Sequence, residues 1–201
     1  HYTKCLRTIL AYQPHVEHLS DKDWEVVADF CLRAILSLCG TTAAESSRNG
    51  EDSPALRTPD ASIRTSRSGT HDPTAPEKRR GDTEGLLGEL VGCVRQLTSA
   101  PNAPVLKNSQ QLLTTLILFL KSFRKVGVPQ QDAFNAINSV LARTSYDSAK
   151  ATQDAMRGLI PIIKERWSTN MPSLKDEMLI TLIHGRFHIA ALLSHSRNDL
   201  F

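Results

Sequence analysis

The sequence predicts an all-α fold, in which antiparallel helix pairs stack into a solenoid interrupted by a disordered insert. Three observations carry this. Apolar residues recur at three- and four-residue steps on both sides of residues 41–85, and no stretch alternates with the period of two that a half-buried strand needs. Hydrophobic residues make up 40% of the chain but aromatic ones only 5%, which suits Leu/Ala-rich helices better than a β-sandwich. The breaks between apolar stripes group the helices into pairs of roughly 40 residues, the period of HEAT or armadillo arrays.

The first helix opens near Tyr2 and carries Leu6, Ile9, Leu10 and Gln13 on one face, until Pro14 disfavours the helical region in the residue before it. Ser20 caps a second helix, with Asp21 and Asp23 in the first turn where the helix dipole favours negative charge. Its stripe is Trp24, Val27, Ala28, Cys31, Ile35 and Leu38, opposite Glu25, Asp29, Arg33 and Ser37. Gly40 is expected to stop it by adopting a positive φ. The short loop between these helices predicts a hairpin. One hairpin cannot bury its own stripes, so it must stack on a neighbour.

Helices resume with Glu84 to Thr98, carrying Leu86, Leu87, Leu90, Val94 and Leu97. A longer one is expected from about Val105 to Arg124, and Pro129 suits the first turn of the next, with Phe134, Ile137, Val140 and Leu141 inward. Tyr146 to Trp167 follows, with Met156, Leu159, Ile160 and Ile163 inward and Pro161 expected to kink it. Pro172 opens a seventh helix bearing Leu174, Met178, Leu179, Leu182, Ile183 and Ile189. The pairs are then 2–40, 84–125 and 129–168, with a fourth unit starting near 172. In domain terms this gives a first helix pair over 1–40, a disordered insert over 41–85 and further pairs over 86–201. A globular helical bundle is the alternative. Trp24 and Trp167 are the candidate core or interaction aromatics.

The insert is rich in Ser, Thr, Pro and Gly, holds no aromatic residue, and has Leu56 and Ile63 as its only sizeable aliphatics. Such a segment cannot bury enough apolar area to offset its ordering entropy. Its eight acidic and seven basic residues nearly cancel. "EKRR" at 77–80 reads as solvated linker before it reads as an import signal, and Ser53-Pro54 and Thr58-Pro59 would suit proline-directed phosphorylation. The four cysteines form no C-x-x-C pair; Cys5, Cys31 and Cys93 sit beside apolar residues, as buried free thiols do, which favours a reducing compartment. An opening His1 in place of Met predicts an excerpt of a longer protein, and no secretory leader is visible. "LLTTLILFL" at 112–120 is about half the ~20 residues of a membrane span, so no membrane is expected.

No phosphate-binding loop, dinucleotide fingerprint, nucleophile elbow or kinase catalytic motif occurs, so no catalytic residue and no cofactor is expected within these residues. His184 and His188 lie one turn apart with His195 beyond, a spacing that can ligate zinc. Gly185 stands where a zinc protease has its glutamate, and a polar helix face is the better reading, so no metal is expected. The net charge of +3 is uneven: residues 86–201 hold thirteen basic and eight acidic groups. Lys121, Arg124 and Lys125 cluster there. They are read first as cations complementing a helix C-terminus, and second as candidates for phosphate contact with DNA.

Two long stretches, "HYTKCLRTILAYQPHVEHLSDKDWEVVADFC" and "LIPIIKERWSTNMPSLKDEMLITL" at 159–182, resemble the N-terminal helical region of fungal ATM-like phosphatidylinositol 3-kinase-related serine/threonine protein kinases, which act in telomere-length maintenance and DNA-damage repair. The resemblance implies a HEAT-repeat solenoid ahead of an ATP-binding, non-specific serine/threonine kinase domain that lies outside this chain. It also implies a nuclear chromatin regulator at chromosomes and telomeres, recruitment to DNA ends through the Mre11–Rad50 complex, and a homodimeric parent. The short N-terminal motif of that family is missing, since Glu165-Arg166 stands without the rest of it. The excerpt is accordingly expected to begin downstream of the motif. An unrelated helical-repeat adaptor, of transport or chromosome structure, is the other reading.

Overall fold

The second helix starts as its cap residues dictate. Ser20 Oγ donates to the Asp23 carboxylate at 2.6 Å, the Ser20 N–H donates to the same carboxylate at 3.2 Å, and the Asp23 N–H donates back to Ser20 Oγ at 3.3 Å. This reciprocal box satisfies orphan donors of the first turn. The Ser20 hydrogen bonds hold the Asp23 carboxyl below its ordinary value.

The computed structural model describes residues 2–11, 19–48, 75–100, 109–143 and 149–198. Among these are seven helices and no strand: α1 (Tyr2–Ala11), α2 (Asp21–Arg48), α3 (Ala75–Ser99), α4 (Ser109–Ser122), α5 (Val128–Arg143), α6 (Ala149–Arg166) and α7 (Pro172–Asn198). They form two layers. Helices α1, α3, α5 and α7 stack in one, and α2, α4 and α6 in the other. Consecutive helices pack closely as α2 on α3, α4 on α5 and α6 on α7, while α1–α2, α3–α4 and α5–α6 touch little among the described residues. The all-helical stack is the one that the apolar stripes predict, but its tight partners are not the expected pairs 2–40, 84–125 and 129–168: they are offset by one helix, and the expected opening hairpin of α1 on α2 does not form a close contact. The opening pair illustrates why: the inward face of α1 lies against α3, and the stripe of α2 is wide enough to cover α3 and α4 together.

The repeat is visible in the contacts along the layer of α1, α3, α5 and α7. Ser99 of α3 meets Ser139 of α5 at a separation of 40 residues, Asn138 of α5 donates to the Glu177 carbonyl of α7 at 39, and Thr181 donates to Asn138 at 43. Between the layers runs one continuous core. Trp24, Cys31 and Ile35 enter it from α2, Leu90, Val94 and Leu97 from α3, Leu116, Phe119 and Leu120 from α4, Phe134, Ile137 and Leu141 from α5, and Leu159 and Leu174 from α6 and α7. The Cys31 thiol, hydrogen-bonded to Cys93 and buried, is pushed well above its ordinary value. Cys39 is buried as well, whereas Cys5 is exposed.

Several residues placed inward by periodicity face solvent. Ile9, Leu86, Ile160, Leu179 and Ile183 are all exposed. Each lies at the margin of its stripe: the neighbours Leu10, Leu87, Leu159 and Met178 take the inward positions. Gly40 does not stop α2, which continues to Arg48. Nothing lies within 4 Å of a side chain added there, and Ala43, Ala44 and Glu45 are good helix formers that carry the helix on. At the other margin of the insert α3 begins at Ala75, with Pro76 in its first turn, ahead of the expected start near 84. Residues 49–74, with Ser53-Pro54 and Thr58-Pro59, lie outside the described residues. Pro161 sits inside α6 on its exposed side. Gly185 faces Met156: a Cβ there would fall 2.5 Å from the end of the Met156 side chain, which would have to move to accommodate it.

Polar residues tie α1 to this layer. Arg7 pairs with Asp132 at 3.2 Å and with Glu89 at 3.4 Å, and Arg95 reaches Asp132 from α3 at 3.5 Å. Asp132 is buried, and burial pushes its carboxyl up; Arg95 and Arg7 pull it down by less, and Glu89 adds to the rise. The folded state therefore holds the Asp132 proton more tightly than the unfolded chain does. Its ionisation lowers stability as pH climbs from the ordinary value of 3.8 through the raised one.

Two outcomes are expected. Trp24 is 2% exposed, so Trp24→Ala should cost about 3–5 kcal/mol in urea unfolding followed by circular dichroism. A loss below about 0.5 kcal/mol would mean the ring adds little to the stack. For Asp132→Asn, the stability of the native chain minus that of the variant should fall as pH rises just above 3.8. A difference that rises instead would show that the arginines outweigh burial.

Candidate functional site

The end of α4 is where sequence-distant polar groups converge. Helix α4 leaves carbonyls at its C-terminus that no residue within the helix can satisfy. Arg166, the last residue of α6, donates through Nη2 to the Leu120 carbonyl and, at 3.2 Å, to the Phe123 carbonyl. Gln130 of α5 donates to the same Phe123 carbonyl at 2.8 Å. Both side chains are buried. Burial holds the Arg166 guanidinium below its usual range, Glu165 opposes that shift, and the like charge of Arg124 adds to it. Gln130 Oε1 and Arg166 Nη1 are buried with no hydrogen-bond partner in the protein.

The nearby cations have two readings, as complement to the dipole of this helix C-terminus and as phosphate contacts; the carbonyls of Leu120 and Phe123 already have donors. Lys121, Arg124 and Lys125 are exposed, and none forms a hydrogen bond or ion pair with a described residue. They stand free at the α4–α5 turn. Because Arg166 is fixed to the end of α4, the next residue, Trp167, is carried to the same edge, where it is 46% exposed. Lys164, one turn earlier on α6, is exposed there too. Trp24, by contrast, lies in the core and takes no part in this edge. The bonds of Arg166 to Leu120 and Phe123 thus link the segment that holds Trp167 to the one that holds Lys121, Arg124 and Lys125, more than 40 residues away in sequence.

Chemistry of other kinds finds little support. Among the described residues no group of three or more His, Cys, Asp or Glu is placed to hold a metal ion. His184 is half-buried, and the side chains of His188 and His195 lie outside the described residues. No helix among the described residues is long and apolar enough to cross a membrane.

Sequence reasoning missed the residues that build the edge. Arg166 reads there only as part of an incomplete motif, and Gln130 not at all. A signal was available. Arg143, the last residue of α5, donates to the Ala100 carbonyl just past the end of α3 at 2.6 Å, and the separation of 43 residues equals that between Arg166 and Phe123. Two helices in succession end on an arginine, and each arginine closes the parallel helix one repeat back. Arg166→Met keeps most of the volume but strips the Leu120 carbonyl of its Arg166 donor and leaves the Phe123 carbonyl with Gln130 alone, so it should destabilise the chain by about 2 kcal/mol. Unchanged stability in chemical unfolding would mean that solvent replaces the donor at no cost.

The same residues also carry likeness to known proteins. A family model described as the Tel1 spiral domain matches residues 27–201, and one described as telomere-length maintenance and DNA damage repair matches residues 1–25. The chain is 38% identical over 189 residues to "Serine/threonine-protein kinase tel1" of Aspergillus oryzae, covering 90% of this chain and 6% of that protein. It is 34% identical to the protein of the same name from Emericella nidulans, with 90% and 6% covered, and 33% identical to that from Neurospora crassa, with 98% and 7% covered. It therefore spans less than a tenth of the length of these relatives. No solved structure matches it. With the Tel1 spiral model extending over most of its length, the chain belongs to the Tel1 spiral domain family.

Proposed function

We propose that this chain is a non-catalytic scaffold segment of a serine/threonine protein kinase that signals DNA double-strand breaks and maintains telomere length. In this reading it serves recruitment by protein contact, in the nucleus, at chromosome ends and breaks. The observation that carries it is the use made of the polar side chains. Arg7, Asp132, Asn138, Arg143 and Arg166 are each engaged in joining one helix to another, so the fold invests buried and half-buried polar groups in holding a stack. A stack of this kind offers an extended surface to partners. The kinase name of the relatives supports placing ATP binding and phosphotransfer in the rest of the parent protein, and the match over residues 1–25 supports the telomere and repair role.

The partner this reading names is the Mre11–Rad50 complex. Immobilised on beads at physiological salt, the purified chain should retain purified Mre11–Rad50, and with Mg²⁺-ATP it should transfer no phosphate to a Ser/Thr-Gln peptide. Failure to retain the complex would remove the recruitment role. Phosphotransfer by the isolated chain would remove the non-catalytic one.

A further inference from the structure

Two of the cysteines meet in the core. Cys31 of α2 and Cys93 of α3 are fully buried on helices that pack closely, and their thiols share a hydrogen bond. Cys93 in turn donates to the Thr3 carbonyl of α1 at 3.8 Å. A core position asks only for a small apolar side chain, and two thiols in contact are the one pairing of such residues that can also bond covalently. We propose that Cys31 and Cys93 close a reversible disulfide when a hydroperoxide reaches them, and that this bond locks α2 to α3 across the segment that joins them.

The two sulfurs have different roles. The hydrogen bond from Cys31 holds the Cys93 thiol below its ordinary value; burial opposes this, Arg7 adds to the lowering and Glu89 counters it. Arg7 lies against the same turn, since a Cβ at Gly92 would fall 2.6 Å from its guanidinium. Cys93 is therefore the sulfur that ionises first, and the thiolate is the nucleophile. Its attack on the peroxide forms an S–O bond and breaks the O–O bond, and the leaving oxygen takes up the proton that Cys93 shed. The Cys31 sulfur then attacks the sulfenic acid: the S–S bond forms, the S–O bond breaks, and water leaves with the proton of Cys31. Two thiols thereby pass two electrons and two protons to one peroxide. Access runs through α1, which buries only Leu10, stands at the end of its layer and is held to α3 and α5 by the ion pairs of Arg7. A helix with so little buried apolar surface opens locally at low cost. Oxidation also removes the proton that Cys93 donates to Thr3, so the bond that fastens α2 to α3 releases a contact of α1. The proposal does not depend on the recruitment role.

Trypsin separates the thiols: Cys31 falls in the peptide 23–33, Cys93 in 81–95, Cys39 in 34–48 and Cys5 in 5–7. The native chain, treated with hydrogen peroxide, alkylated in denaturant and digested, should yield 23–33 joined to 81–95 in mass spectrometry, and dithiothreitol should restore both thiols. In Cys31→Ser, dimedone should trap a sulfenic acid on Cys93, whereas in Cys93→Ser it should leave Cys31 unlabelled. The oxidised native chain should unfold at a thermal midpoint about 5 °C higher, because the bond closes a loop of about 60 residues. Peroxide that leaves both thiols open to alkylation, or that joins either one to Cys5 or Cys39 instead, would overturn the proposal. So would a midpoint that oxidation leaves unchanged or lowers, and labelling of Cys31 in preference to Cys93 would overturn the choice of nucleophile. The peptide map and the midpoint are read on the native sequence, so a serine variant that fails to fold does not protect the proposal from either.

Discussion

A helix in a stacked array ends in carbonyl groups that nothing within it can satisfy, and in this protein the helix one repeat further on supplies the donor. Arg143 closes α3 and Arg166 closes α4, one in each layer, at the same separation of 43 residues. A buried carbonyl without a partner costs on the order of 1–3 kcal/mol, so a slip of one turn between neighbouring helices would lose these bonds while leaving much of the apolar contact in place. Leucine and isoleucine stripes tolerate such slips, because one aliphatic side chain packs much like another. The arginines do not. Register in the two layers therefore rests on directional bonds, and the roughly 40-residue period follows from their geometry as much as from helix length.

The same division explains what the sequence discloses. Periodicity placed Trp24, Ala28, Cys31 and Ile35 inward, together with Phe134, Ile137 and Leu141, because burial needs only an apolar side chain at the right phase. It erred at the margins of stripes. Ile160 and Leu179 share the chemistry of their buried neighbours, and which side of the boundary each falls on depends on where the adjacent helix crosses. Gly40 misled for a related reason: glycine permits a helix stop without requiring one, and nothing packs closely enough on that turn to force the choice.

The candidate edge was half legible. Lys121, Arg124 and Lys125 form a visible cluster, and Trp167 is one of two tryptophans, yet no local pattern links them. Their link is Arg166, whose role depends on a carbonyl more than 40 residues away. Long-range pairing between a side chain and a backbone carbonyl leaves no mark on hydrophobic periodicity, since every residue has the carbonyl. Only recurrence at the repeat distance could have exposed it, and that requires two arginines to be compared with each other.

Exposed apolar residues are spread along the stack: Tyr2 and Ile9 on α1, Val26 and Phe30 on α2, Ile160 on α6, and Leu179, Ile180 and Ile183 on α7. Polar ties add to the apolar contacts between neighbouring helices. The tie from Arg7 to Asp132 reaches past the adjacent α3 to α5, and Arg95 of α3 meets the same carboxylate, so one acidic group on α5 joins three helices of the layer. Its cost is a buried carboxylate held at a raised pKa, which the arginine-to-carbonyl bonds of Arg143 and Arg166 do not incur.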